Sequence, residues 1–232
     1  MKVLNYGSLN VDYVYSVDHI IVGGETQHSS KLEVFSGGKG LNQSIALAKA
    51  GVPVYHAGIV GTDGDILLEA CKEAGVNTKY IRRLPVKGGH TMIQVDKNAQ
   101  NCIILYGGTN QMQTKEFVDE VLADFGEGDY LILQNEINML DYIIDQAYEK
   151  KMKIVMNPSP FDDKLSTCDL SKVYLFLVNE IEGEQITGCK DKDQILDAMA
   201  AKFPNARFVL TLGSDGAVYY DGKEKVFQIF SR

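Results

Sequence analysis

Val3-Leu4-Asn5-Tyr6-Gly7-Ser8-Leu9-Asn10-Val11-Asp12 opens as a short run of strand character and breaks at a glycine into polar residues. Val3-Tyr6 predicts a first β-strand, and the polar groups after it fall just beyond its carboxyl end, where open α/β sheets bind ligands. Asn10 and Asp12 stand two residues apart, so in extended backbone they point the same way. Together they offer donors and acceptors suited to the hydroxyls of a polyol. Taken alone, the same residues also read as a turn held by Asx hydrogen bonds.

Outward from this segment, Val54-Val60, Tyr130-Leu133, Lys153-Met156, Val173-Val178 and Arg207-Leu212 are short apolar runs bounded by turn residues, and predict buried strands. Amphipathic stretches lie between them. Asp65-Ala74 puts Leu67, Ala70, Cys71 and Ala74 on one stripe and stops at Gly75. Thr114 caps a helix with Phe117, Val118, Val121 and Leu122 facing inward. Ile143, Ile144 and Ala147 mark a third helix, and Ile195, Leu196 and Met199 a fourth. This alternation predicts βαβ crossovers and a mainly parallel sheet covered on both faces, a three-layer α/β/α Rossmann-like core.

Two stretches depart from the pattern. Val11-Phe35 alternates in short β-like pieces, and His90-Tyr106 reads as two strands about Lys97-Asn98-Ala99-Gln100. They predict a small β-lid, residues 11–35 and 90–106, inserted into a core of residues 1–10, 36–89 and 107–232 and closing over a site. Segments this thin have no core of their own, so Val14, Ile93 and Ile104 are expected to face outward and pair with a second copy in a homodimer.

The 232 residues carry 23 basic and 31 acidic side chains, a net charge of -8 that repels a phosphate backbone and argues against nucleic acid as a partner. Cys71, Cys102, Cys168 and Cys189 are widely spaced and form no C-x-x-C pair, so they read as reduced thiols. The N-terminus turns polar at once, and no stretch approaches the roughly 20 apolar residues of a membrane span. A cytoplasmic protein with no membrane partner is expected.

A second glycine cluster, Ser36-Gly37-Gly38-Lys39-Gly40-Leu41-Asn42-Gln43, opens a helix whose next turns are apolar. Such glycines let a ligand approach the backbone. Because Lys39 is followed by Gly40 and Glu33 stands where a first glycine would, the cluster is not a P-loop. Without further context it reads as a structural helix entry.

The combination of Gly-Ser-Leu-Asn-Val-Asp with Gly-Gly-Lys-Gly-Leu-Asn-Gln resembles the ribokinase branch of the PfkB carbohydrate kinases. The resemblance continues through Gly58-Ile-Val-Gly-Thr-Asp-Gly64, Gly107-Gly-Thr-Asn110, Leu133-Gln-Asn-Glu136, Asn157-Pro-Ser-Pro160, Val178-Asn-Glu-Ile-Glu182 and Thr211-Leu-Gly-Ser-Asp-Gly216, in family order. It implies a ribokinase-like fold with a β-lid and ATP-dependent phosphorylation of a sugar hydroxyl. It also implies that Asn10, Asp12, Gly38, Lys39, Asn42 and Glu136 bind the sugar, with Lys39 supplying a cation. Asn179 and Glu182 match a motif associated with magnesium and phosphate, while Thr211, Leu212, Gly213, Ser214, Asp215 and Gly216 match the loop bordering the nucleotide. ATP and Mg2+ are the implied cofactors, with K+ in the full-length protein. Read alone, Asn179 is also a helix cap and Gly213-Gly216 also a turn before a strand at Ala217-Tyr220.

Members of the family carry an Asp-Thr-x-Gly-Ala-Gly-Asp motif shortly after the segment matching Val226-Phe230, and this chain stops at Arg232 before it. That helix start stabilises the transferring phosphoryl charge, and its last Asp takes the proton from the sugar hydroxyl. The expectation is a C-terminally truncated kinase whose catalytic base lies beyond Arg232 and whose own turnover is doubtful. Sites for the monovalent cation and part of the adenine fall in the same missing portion, and apolar surface is expected to be exposed. A nucleoside or other PfkB carbohydrate kinase, and a non-catalytic sugar-binding remnant, are the alternatives.

Overall fold

The structure is a computed structural model that describes residues 1–228, leaving residues 229–232 outside the described residues. The chain divides into two compact units, Asn5–Gln113 and a second made of Met1–Leu4 with the residues from Thr114 onward. Strand β1 (Val3–Tyr6) has the bounds expected from its apolar run and contributes its last two residues to the first unit.

The first unit continues with β2 (Asn10–Ser16), β3 (Lys31–Gly37), α1 (Lys39–Lys49), β4 (Val54–Val60), α2 (Asp65–Ala74), β5 (Asn77–Arg83), β6 (Gly89–Val95) and β7 (Asn101–Tyr106). β4 and β5 pair in parallel around the α2 crossover. Leu67 and Cys71, one turn apart, bury the inner stripe of α2, and the helix stops at Gly75 in the left-handed conformation (φ 78°) that a glycine adopts without steric penalty. β5 was not foreseen. Its sequence Asn-Thr-Lys-Tyr-Ile-Arg-Arg buries only Tyr80, and cations on an edge strand hide the apolar alternation while protecting the edge from further pairing.

β3, β2, β6 and β7 form a separate four-stranded sheet in that order. The hairpin about Lys97-Gln100 is present, with Asp96 N–H donating to the Gln100 carbonyl at 3.0 Å. The stretch 17–30 contains no strand. Register corrects one expectation. Val14 stands opposite Ile93 and Ile93 opposite Ile103, whereas Ile104 stands opposite Met92. Directly opposed residues share a face and neighbours along a strand do not, so Ile104 lies on the other face from Val14 and Ile93. Ile104 is 62% exposed, while Val14 and Ile93 are half-buried on the face that carries Asn10 and Asp12.

The second unit holds α3 (Lys115–Leu122), β8 (Tyr130–Gln134), α4 (Leu140–Glu149), β9 (Lys153–Asn157), β10 (Leu175–Asn179), α5 (Glu180–Thr187), α6 (Lys192–Lys202), β11 (Arg207–Thr211), β12 (Ala217–Tyr220) and β13 (Lys225–Gln228). β8, β9, β10 and β11 are parallel, and β12 and β13 add antiparallel. Thr114 caps α3 by accepting from Phe117 N–H, and Phe117, Val118, Val121 and Leu122 are all buried as their spacing predicts. Phe208 lies directly opposite Phe176 and stacks on it with centroids 6.0 Å apart, locking β10 to β11. β10 starts at Leu175 rather than Val173, because a short 3-10 turn over Leu170–Lys172 occupies the approach to the strand. Of the segment Val226-Phe230, residues 229 and 230 lie outside the described residues. No helix among the described residues is long and apolar enough to cross a membrane.

Candidate active site

In the first unit, β1 ends where the chain must turn sharply into β2, and Ser8 at the turn is fully buried. Its hydroxyl accepts from Gly40 N–H at 3.1 Å and its carbonyl accepts from Leu41 N–H at 3.0 Å. Two of the orphan donors at the start of α1 are therefore satisfied by a residue 32 positions away, which fixes the helix start against the β1–β2 turn. Close approach explains the glycines: a Cβ at Gly40 would strike the Ser8 and Gly7 backbone, and at Gly38 it would lie 3.1 Å from both Ser8 O and Asn10 N.

Below α1, a buried chain of polar groups ties the same elements. Asn5 Nδ2 donates to the Gly40 carbonyl at 2.7 Å and to Ser44 Oγ at 2.9 Å, and Ser44 Oγ is 2.8 Å from His56 Nδ1. Burial pushes the His56 imidazole down to about 4, the Gly7 carbonyl working weakly the other way. His56 is therefore neutral near pH 7.

On this frame sit the sequence-predicted residues. Asn10 is 2% exposed, and its Oδ1 accepts from Asn110 Nδ2 at 2.7 Å. Asp12, half-buried, accepts from Thr91 Oγ1 at 2.6 Å, and its other carboxylate oxygen occupies the space that a Cβ at Gly37 would fill. Gly37 opposes Asn10 directly and leads through Gly38 into Lys39, so Asn10, Asp12, Gly38 and Lys39 are gathered at one turn of chain. Asn42 is exposed one helical turn further on. At the entry to β6, burial works to raise the Asp63 carboxyl, but the Lys87 ammonium at 2.7 Å and Gly88 N–H at 2.9 Å outweigh it and hold it low. Thr91, Ser8 and Asn110 were not assigned from sequence. Their roles depend on nonlocal pairing, though Asn110 lies in a quoted motif.

In the second unit, polar residues end successive parallel strands. Gln134 opposes Asn157, and Asn179 opposes Thr211, so the carboxyl edge of β8 to β11 carries a row of amides and a hydroxyl. Glu136 follows β8, half-buried. Asn179 is a helix cap: its Oδ1 accepts from Glu182 N–H at 2.8 Å, and Glu182 Oε2 accepts from Asn179 N–H at 3.0 Å. This reciprocal box satisfies the first turn of α5. After Thr211, Leu212 leads into a turn over Gly213–Asp215, closed by Leu212 N–H donating to the Gly216 carbonyl at 2.9 Å.

Among the described residues there is no cluster of three acids, histidines or cysteines able to cage a metal.

The class these features define is that of the carbohydrate kinases: residues 1–230 match the pfkB family carbohydrate kinase. The ribokinase of Haemophilus influenzae is 30% identical, the alignment covering 97% of this chain and 76% of the relative. That of Staphylococcus aureus is 32% identical over 97% of this chain and 74% of the relative. The structure of Cryptococcus neoformans ribokinase in complex with ADP superposes with a TM-score of 0.82 at 28% identity, covering 100% of this chain and 79% of that one. The chain belongs to the pfkB family of carbohydrate kinases, in its ribokinase-like branch, and has the ribokinase-like α/β fold.

Proposed function

We propose that this chain recognises a pentose of the ribose type together with ATP, for transfer of the γ-phosphoryl group to a sugar hydroxyl. The observation that carries the reading is the gathering of Asn10, Asp12, Gly38 and Lys39 at one turn, with Asp12 seated over Gly37. An amide donor, a carboxylate acceptor and a nearby cation match vicinal hydroxyls. Asn42 supplies a further polar contact to hydroxyls. On the carboxyl edge of the second unit, Asn179 and the loop Thr211, Leu212, Gly213, Ser214, Asp215 and Gly216 border the nucleotide. Glu182, its Oε2 engaged by the cap, is the carboxylate that would hold Mg2+. Magnesium neutralises phosphate charge when bound. K+ belongs to the same family-based reading.

The four-stranded sheet serves as the lid, and the exposed face that carries Leu32, Val34, Met92 and Ile104 joins two copies as a homodimer. A cytoplasmic location suits these substrates. The 232 residues contain no Gly-Ala-Gly-Asp sequence. In this reading the 232-residue chain, which lacks the helix start that the family resemblance assigns to phosphoryl transfer, binds sugar without turning over.

Calorimetry with D-ribose, 2-deoxy-D-ribose and adenosine, beside a coupled ADP-release assay, tests this. D-Ribose binding without sugar-dependent ADP release is expected. No binding of any pentose refutes the substrate reading, tighter adenosine binding favours a nucleoside kinase, and clear turnover refutes the reading of this chain as binding without turnover.

A further inference from the structure

We propose that Asn110 is a positioning residue that sets which way the Asn10 amide faces the sugar, an inference that rests on Asn10 being a sugar contact. Asn110 lies in the 3-10 turn Gly108–Gln111 and is 1% exposed. Its Oδ1 accepts from the Leu9 backbone N–H at 3.0 Å. A backbone N–H can only donate, so this bond dictates the orientation of the Asn110 amide. Its Nδ2 is thereby turned toward Asn10 Oδ1, 2.7 Å away, with the Leu9 carbonyl at 3.4 Å. Asn10 Oδ1 is then occupied, and the group left to meet a ligand is the Asn10 Nδ2 donor, for which the described residues provide no partner.

The consequence is a fixed polarity. Asn10 donates and Asp12, two residues on along the same face, accepts, so neighbouring hydroxyls are read in one order. The clamp is itself anchored: Asn110 N–H donates to the Gly107 carbonyl at 2.9 Å, and Thr109 Oγ1 donates to the Ile59 carbonyl at 2.7 Å. Gly89, opposite Asn10 on β6, closes it, because a Cβ there would strike both Asn110 Nδ2 and Asn10 Oδ1.

D-Ribose calorimetry on the 232-residue chain compares wild type, Asn110→Asp and Gly89→Ala. In Asn110→Asp the Leu9 acceptor survives, but an ionised carboxylate faces Asn10 Oδ1 with a second acceptor and drives the Asn10 amide to flip. Affinity at pH 8 is expected to fall about ten- to a hundredfold. It should recover as pH is lowered, because the introduced carboxyl, raised by burial, gains a proton it can donate to Asn10. Asp12 on β2 and His90 on β6, which flank this pair, are present in all three proteins, so the pH effect is read as the difference between each variant and wild type. Gly89→Ala should weaken binding without that recovery.

Equal D-ribose affinity in wild type and Asn110→Asp overturns the proposal. So does a pH-independent loss in Asn110→Asp, which marks a merely structural role. Should the wild type bind no D-ribose, the sugar reading fails separately. The clamp is then decided by the Asn10 side-chain amide resonances in ligand-free protein: a shift in Asn110→Asp supports it and no shift overturns it.

Discussion

Replacing Asp12 by alanine separates the sugar-binding role of this carboxylate from its part in the fold. Asp12 accepts a charge-assisted hydrogen bond from Thr91 Oγ1 at 2.6 Å, and its second oxygen lies over Gly37. Within the protein, the substitution orphans the largely buried Thr91 hydroxyl, which costs about 1 kcal/mol. For a chain of this length that lowers the thermal midpoint by roughly 2–4 °C. Toward a sugar, the loss is larger, because a carboxylate accepting from one or two hydroxyls is worth about 2–4 kcal/mol in a closed site. Affinity should drop roughly 30- to 800-fold. Asp12→Asn keeps an acceptor for Thr91 and should fold like wild type while still binding sugar more weakly. D-Ribose calorimetry with parallel thermal melts measures both quantities. Wild-type affinity in a folded Asp12→Ala protein would refute the assignment.

Gly37→Ala places a methyl group where the Asp12 carboxylate lies, so it should weaken D-ribose binding nearly as much as Asp12→Ala, and the double variant should be no worse than either. Ser8→Ala removes the acceptor for Gly40 N–H and should cost about 1–2 kcal/mol, read as a fall of roughly 2–8 °C in thermal midpoint. His56 is depressed to about 4 in the folded protein from an ordinary value of 6.5, so below pH 6.5 the unfolded chain takes up a proton that the folded one does not. Stability should therefore fall as pH drops from 6.5 to 4, by about 3 kcal/mol, and His56→Gln should flatten that slope in denaturant titrations.

What the sequence revealed follows from which forces act locally. The bounds of β1, β4 and α2 matched their apolar patterns because each is set by its own burial stripe and terminators, Gly7 and Gly75 among them. β5 escaped notice because only Tyr80 of its seven residues is buried. The two β segments were recognisable as strands, but their register was not. Whether Thr91 faces Asp12, or Ile104 shares a face with Val14, is decided by pairing between segments some 80 residues apart, which a period-two pattern does not encode. For the same reason spacing singled out Asn10 and Asp12 as candidates, while Ser8, Thr91 and Asn110, which hold them or their frame, were not singled out. In the second unit the cap reading of Asn179 and Glu182 is directly visible in their hydrogen bonds.

The glycine cluster at 37–40 invites comparison with phosphate-binding loops, whose glycines expose backbone donors to an anion. Here the steric evidence assigns a different duty to each glycine. Gly40 admits the backbone at Ser8, Gly38 passes close to Ser8 and Asn10, and Gly37 leaves room for the Asp12 carboxylate. Two of the N–H groups at the start of α1 are already spent on Ser8. A helix start whose donors are consumed internally has little left for an anion, but it is rigid, and rigidity is what a site reading hydroxyl geometry needs. Since the same Ser8 that caps the helix immediately precedes Leu9 and Asn10, the helix start and the Asn10-Asp12 strand cannot shift independently. The separation of Lys39 from Asp12 is thus a property of the β1–β2 turn, and in the proposed reading a sugar that meets one of them is presented to the other.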